Sequence, residues 1–281
     1  MAALIITEEA VPALAAATGG LSLTDDATTA HGNPTPILID TTAALSKMVG
    51  NLEELPTDPP SLYIDLEGVN LSRHGTISIL QLHVLPSKQT YLLDVHTLQG
   101  QCFSATSRNG RSFKDILESD TIPKVFFDVR NDSDALYHHF KIDLRGIQDL
   151  QLMEIATRTF SRRHVNGLSR CIERDASLST LERIAWKRVK DKGVKLFAPE
   201  RGGSYEVFNE RPLSSDMIDY CAQDVQVLPL LWARYKSNIT STWWQRIQDA
   251  SKERVKLSQS STFVGKGQYM ALSPSGWASI R

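Results

Sequence analysis

The run LYIDLEGV, residues 62–69, carries two carboxylates two residues apart, Asp65 and Glu67. Side chains alternate across a strand, so Tyr63, Asp65 and Glu67 share one face while Leu62, Ile64 and Leu66 take the other. Two like charges this close resist ionising together unless a cation lies between them, which is the chemistry of a metal site. An edge strand with a wet face would show the same pattern. By itself the stretch leaves both readings open.

Two more acids, Asp132 and Asp224, lie where a helix could aim them inward. In DVRNDSDALYHHF (128–140), a helix from about residue 132 puts Asp132 on the face of Ala135, Leu136 and Phe140, with Asp134 turned toward Tyr137 and His138. Asp132 is then an interior acid or simply the cap of its helix. In DMIDYCAQDVQVLPLLWARYK (216–236), Asp216, Asp219, Gln223, Gln226 and Arg234 gather on one polar arc. Asp224 falls instead among Met217, Leu228 and Leu231, with Tyr220 one turn earlier on the same face. A carboxylate in an apolar stripe has to be paired or bound to a metal, and an arginine partner is the structural alternative. Pro229 is expected to kink or interrupt this helix.

The elements that would position these residues follow from pattern. Strands are expected at 35–40, 61–68, 76–84, 90–95 and 124–129, the last apolar nearly throughout, as in a strand covered on both faces. Helices are expected at 41–52, with Thr41 as cap, and at 113–118, 132–140, 149–159, 166–176, 180–191 and 214–235. Strands first and mostly helices afterwards imply an α/β or α+β domain. Residues 1–35, rich in Ala, Thr and Gly, read as a disordered or loosely packed segment, 36–240 as the domain, and 241–281 as a C-terminal extension.

With 41% hydrophobic and 22% charged residues, the chain has the composition of an ordinary soluble globular protein. No apolar run approaches the roughly 18 residues of a membrane span. The first residues lack the basic flank of a secretory signal and the arginines of a transit peptide, so an intracellular location, cytoplasm or nucleus, is expected. Cys102, Cys171 and Cys221 are widely spaced and read as buried thiols rather than a disulfide framework or a zinc site. The net charge of -1 gives no global case for nucleic acid, but residues 157–195 hold eleven Lys/Arg against four acids. That excess suits a phosphate-binding face or a solvated helical one.

Taken in order, acid-x-acid in YIDLEG, the acid Asp132 in KVFFDVRNDSDALYHHF, and Tyr-x-x-x-Asp in YCAQD resemble the DEDD superfamily of 3′-5′ exonucleases, in the tyrosine subclass that includes ribonuclease D and the Werner-type exonuclease. The likeness runs from about residue 36 to about 236, and KVFFDVRNDSDALYHH with the loop GGSYEVFNERPL looks most like the Egalitarian-related eukaryotic branch. Phe127 stands where many relatives have a histidine, and Asp219 where a sister subclass places one. The resemblance implies an RNase H-like (DnaQ-like) fold, a mixed five-stranded sheet flanked by helices. It also implies metal-dependent hydrolysis from the 3′ ends of single-stranded RNA or DNA.

That reaction needs an attacking hydroxide, neutralised phosphoryl oxygens and a stabilised leaving 3′-oxygen, which two divalent ions about 3.5–4 Å apart supply. Mg²⁺ or Mn²⁺ suits a set of carboxylates. By resemblance, Asp65 bridges the ions, Glu67 and Asp224 complete the site of the ion that activates water, Asp132 acts on the second ion through water, and Tyr220 orients the attacking water and helps to deprotonate it. Arg162, Arg163, His164 and Asn166 are candidates for gripping the phosphate backbone, or form a solvated loop. Lys187, Arg188, Lys190 and Lys192 read as a wet face, and Phe103, Phe160 and Tyr205 as stacking rings or core. Some members of the Egalitarian-related branch have lost acids and bind RNA without cutting it. This chain keeps all four, yet a catalytically silent nucleic-acid-binding or scaffold protein on the same fold is the competing expectation.

Overall fold

The strand that carries Asp65 and Glu67 has a neighbour on each side. In the computed structural model, which describes residues 34–279, a sheet runs in the order β1-β4-β3-β2-β5-β6. Its strands are β1 (Ile37–Ile39), β2 (Leu62–Glu67), β3 (Ile79–Val84), β4 (Gln89–Asp94), β5 (Lys124–Phe126) and β6 (Ile147–Asp149). β2 is interior, so the wet edge strand is excluded. β2, β3 and β4 form an antiparallel meander, while β1 joins β4 and β5 joins β2 in parallel, with β6 parallel beyond β5. The sheet is mixed, as expected, with six strands rather than five. β6 escapes the sequence reading because it is three residues long and has no alternation of its own. The expected loose segment falls almost wholly outside the described residues.

Helices cover both faces. On one side α1 (Thr42–Asn51), α4 (Phe113–Leu117) and α5 (Arg130–Phe140) pack over Leu62, Ile64, Leu66, Leu80, Leu82 and Phe126. Two one-turn helices, α2 (Val95–Leu98) and α3 (Gln101–Ser104), complete that layer. On the other side α6 (Leu150–Thr157), α7 (Leu168–Asp175), α8 (Thr180–Phe197) and α9 (Ser215–Lys236) cover Tyr63, Val125, Ile79 and Leu92. Asp65 and Glu67 belong to the Tyr63 face, so they look toward α9.

Local chemistry sets the helix starts. Thr41 accepts the Ala44 N–H, and Ser112 with Asp115 and Ser179 with Glu182 form reciprocal capping boxes. α9 runs uninterrupted through Pro229, over the expected helical span. The hydrogen bond lost there costs about 3 kcal/mol, offset by the burial of Leu228 and Leu231. Beyond α9, α10 (Ser241–Gln259) packs on α5, α6 and β6. Cys102, Cys171 and Cys221 are buried free thiols. Among the described residues no helix is long and apolar enough to cross a membrane.

Candidate active site

Asp65 and Glu67 occupy the carboxyl end of β2, opposite Gln81 and Ile79 of β3. The chain turns immediately afterwards, and a side chain at Gly68 would place its Cβ 2.1 Å from the Thr76 carbonyl oxygen. That close approach requires glycine. β5 runs parallel to β2, so the turn leaving β5 brings the start of α5 to the same end of the sheet. Asp128 adopts φ 61° in that turn, a left-handed conformation that Asp tolerates better than most residues. The Asp149 carboxylate at the end of β6 accepts the N–H groups of Asp128 at 3.1 Å and Val129 at 3.2 Å, fixing where α5 begins. Asp132 lies in the first turn of α5 but is not its cap, a position held by Val129. Its side chain is 5% exposed, and no described residue forms an ion pair with it.

α9 lays Tyr220 and Asp224 across the sheet from the other direction, both on its buried stripe. α8 packs against α9 and contributes what the sequence reading does not anticipate. Lys190 is 20% exposed rather than solvated, and its ammonium bonds to the Asp224 carboxylate and lies 3.3 Å from the Tyr220 hydroxyl. The same Nζ sits 4.6 Å from the Tyr220 ring centroid, a cation–π contact. With its amide turned to satisfy both ends, Gln223 donates to the Trp186 carbonyl at 3.1 Å and accepts the Lys190 N–H at 3.1 Å. Gly193, one turn further along α8, lets Tyr220 approach, since a Cβ there would lie 2.2 Å from the ring.

The electrostatics follow from this crowding. Burial, then repulsion from Asp224, pushes the Asp65 carboxyl up to about 7 against the pull of Lys190. Burial and Asp65 push Glu67 up to about 8. Burial and the charges of Asp65, Asp128 and Glu67 raise Asp132 well above the carboxylate range. The Tyr220 phenol is raised by burial and by Glu67 and Asp224, so it keeps its proton. Asp224 Oδ1 is buried with no partner. Carboxylates that repel one another, with an unpaired buried oxygen among them, fit a hard divalent cation.

The four residues proposed from sequence to grip phosphate lie in different surroundings. The Arg162 guanidinium bonds the Ile155 carbonyl at 3.0 Å and stacks 5.1 Å from the Trp243 ring. Asn166 is buried, donating to Glu154 at 3.2 Å. Both stabilise the loop after α6, while Arg163 and His164 are exposed on it. Of the expected basic face, Lys187, Arg188, Lys192 and Lys195 are exposed, whereas Arg158 and Arg174 turn inward onto Glu154. Phe103 is core, packed 4.6 Å from Phe140, and Tyr205 stacks on Phe197. Phe160 is 54% exposed, with the Arg158 and Arg174 guanidinium groups 5.3 and 5.4 Å from its ring.

A second acidic group lies elsewhere. Ligand atoms of Glu154, Cys171 and Asp175 fall within 4.8 Å of one another. Arg158 and Arg174 already neutralise Glu154, Arg174 and Tyr235 engage Asp175, and burial pushes the Cys171 thiol up to about 12. This is a buried ion-pair network with a protonated thiol beside it.

Lys190 is the site residue the sequence reading missed, and a signal for it exists. Trp186, Lys190, Gly193 and Phe197 recur at spacings of four, three and four, the buried stripe of α8. A lysine in that stripe needs an interior partner.

The profile described as 3′-5′ exonuclease matches residues 36–239. The structure is similar to that of Trypanosoma brucei RNase D in complex with RNA U12, with a TM-score of 0.68, 19% identity, and 86% of this chain and 77% of that one covered. It is also similar to Brucella melitensis NrnC with bound Mg²⁺, with a TM-score of 0.51, 17% identity, and 83% and 100% covered. In sequence, the Bombyx mori piRNA biogenesis protein EXD1 is 29% identical over 89 residues, 32% of this chain, and the match spans only 26% of that relative's length. The structural likenesses carry the fold, and the profile spans the strand, turn and helix that hold all five of Asp65, Glu67, Asp132, Tyr220 and Asp224. The chain belongs to the 3′-5′ exonuclease family.

Proposed function

We propose that the chain is a metal-dependent 3′-5′ exonuclease of the tyrosine subclass that removes nucleotides from single-stranded 3′ ends, with RNA as the substrate class. The observation that carries this reading is the set of carboxyls raised by burial and mutual repulsion, Asp65, Glu67 and Asp132, beside the unpaired Asp224 Oδ1. Two divalent cations held by these carboxylates would neutralise phosphoryl charge, activate water and stabilise the leaving 3′-oxygen. The rest falls to the chain's own groups. Asp65 and Glu67 are fixed by the β2–β3 ladder, Asp132 by the Asp149 clamp, and Asp224 by α9, so the ligands need little reorganisation. Burial and the neighbouring Glu67 and Asp224 keep the proton on the Tyr220 phenol, which suits it to orient a water rather than to deprotonate it. Arg163 and His164, exposed on the loop after α6, are the remaining candidates from that loop for contacting the phosphate backbone. RNA is favoured because the T. brucei relative was solved with RNA and the EXD1 relative is a piRNA biogenesis protein. Mg²⁺ in the NrnC structure supports the choice of metal.

One observation favours a second reading. The Lys190 ammonium already pairs with Asp224, so the site could be a filled and silent one on a nucleic-acid-binding protein. 5′-labelled single-stranded RNA and matching DNA, incubated with Mg²⁺, Mn²⁺ or EDTA, separate the two. The expected result is a ladder shortening from the 3′ end, abolished by EDTA and by Asp65→Asn. Intact label in every lane alongside a retained gel shift would establish the silent binder instead.

A further inference from the structure

Hydrolysis by the carboxylates has no need of an ammonium among them, yet α8 delivers one. Lys190 Nζ bonds Asp224, neighbours the Tyr220 hydroxyl at 3.3 Å and faces that ring at 4.6 Å. Its position is built rather than incidental. Gln223 holds the Lys190 backbone from α9, and Gly193 lets α8 sit directly on Tyr220. A divalent ion bound to the same Asp224 oxygen would meet the ammonium at close range, where two positive charges in a buried site repel steeply. The two cations therefore exclude each other at that oxygen.

We propose that Lys190 is an exchangeable counter-ion of the acid cluster: its ammonium holds the metal-free site together at Asp224, gives way when a divalent cation enters, and so sets the site's metal affinity. This rests on the reading of the cluster as a divalent-metal site. Two features allow the exchange without moving α8. The side chain is 20% exposed, and its flexible four-carbon stem can carry the ammonium toward solvent. Asp224 Oδ1, buried and without a partner, presents a second oxygen that the ammonium does not occupy. The bond to Asp224 is charge-assisted, the stronger class of hydrogen bond, so metal entry carries a cost that a neutral side chain would not impose. Lys190 is in this sense a positioning and affinity-setting residue.

The test measures Mn²⁺ affinity by the disappearance of the free-ion electron paramagnetic resonance signal, in wild type, Lys190→Met and Lys190→Ala at one pH. Both variants are expected to bind Mn²⁺ about ten-fold tighter than wild type. In EDTA their melting temperatures should fall below the wild-type value, and saturating Mn²⁺ should restore them, because only the ion can then neutralise the carboxylates. Wild-type-like or weaker Mn²⁺ binding by the folded variants would overturn the exchange while leaving the metal site intact. If neither wild type nor either variant binds Mn²⁺, Lys190 is a permanent counter-ion, and the metal reading fails with the proposal. Using two variants guards against one failing to fold.

Discussion

The sheet face that carries Asp65 also buries a histidine, and its protonation has a readable consequence. His83 lies opposite Tyr63, is 2% exposed, and pairs through Nδ1 with Thr90 Oγ1 at 3.0 Å. Burial pulls its pKa down to about 4. Between the unfolded value near 6.5 and that figure, the unfolded chain binds the proton and the folded one does not, so the histidine's contribution to stability is lost as pH falls. At about 1.4 kcal/mol per pH unit, the loss from this group between pH 7 and pH 5 is about 2 kcal/mol. Asp65 and Glu67 pull the other way in the metal-free protein, since raised carboxyls favour the folded state as pH falls. The comparison must therefore be between wild type and His83→Gln. The urea midpoint of the variant should drop less between pH 7 and pH 5, and parallel drops would show that His83 is not buried neutral. At this scale the legible residues were those whose partners follow from period. Asp65 and Glu67 share a face because strands alternate, and Asp224 lies among leucines because helices repeat every 3.6 residues. By charge Lys190 is indistinguishable from its solvated neighbours Lys187, Arg188 and Lys192, and the packing of α8 on α9 separates it from them.

Elements position these residues by close approach, and α8 against α9 is one such contact. Gly193 is helical and gains nothing from conformational freedom; its use is the missing Cβ, which would stand 2.2 Å from the Tyr220 ring and 2.7 Å from its Cβ. Gly193→Ala must therefore shift α8 or turn the phenol. Overpacking of this kind costs about 1–3 kcal/mol, a loss that leaves most domains folded. The expected phenotype is a folded protein with a lower melting temperature and a fall in kcat that exceeds any change in KM, because Tyr220 is displaced while the remote substrate contacts stay. Gly100→Ala is the control, with open space around it and φ -57°, and should change stability by no more than a few tenths of a kcal/mol. Equal effects from the two substitutions would show that the α8–α9 contact does not set the phenol. The same scale explains where pattern failed. β6 is three residues whose strand character comes wholly from pairing with β5, and α9 survives Pro229 because tertiary burial outweighs one lost bond.

Across the whole molecule, the segment beyond the family motif, from about residue 241, packs back onto the domain. Val255 of α10 joins the core built on Leu62, Phe126 and Leu136. Arg254, 6% exposed, bonds Asp149 at 2.7 Å and Gln151 at 2.9 Å and lies 3.4 Å from Asp128. Asp149 is the clamp that starts α5, so α10 reaches the Asp132 turn through the ion pairs of Arg254 with Asp149 and Asp128. Beyond α10 the chain is fastened again, among other contacts by Ala271 accepting the Val165 N–H at 2.9 Å, by Met270 accepting from the Arg130 guanidinium at 2.8 Å and by Trp277 packing edge-on to Trp243. The buried stripe of α10, Ile247, Ser251, Arg254, Val255 and Ser258, has helical spacing, but which residues it meets is decided by the fold. Arg254→Met keeps the stem and removes the charge, leaving Asp149 buried without its cation. Breaking a buried pair from one side costs about 3–5 kcal/mol, against about 5–15 kcal/mol for the stability of an ordinary domain. We expect a large fall in the urea midpoint, and with it a loss of Mn²⁺-induced stabilisation as the Asp132 turn loosens. Lys256→Met, an exposed neighbour on the same helix, should change neither. A chain ending at residue 240 should unfold without a cooperative transition, since Asp149, Gln151 and the Phe126 core would all lose a partner. If that shorter chain instead melts sharply and binds Mn²⁺ as the full chain does, residues 241–279 are an appendage, and the site is self-sufficient within the family domain.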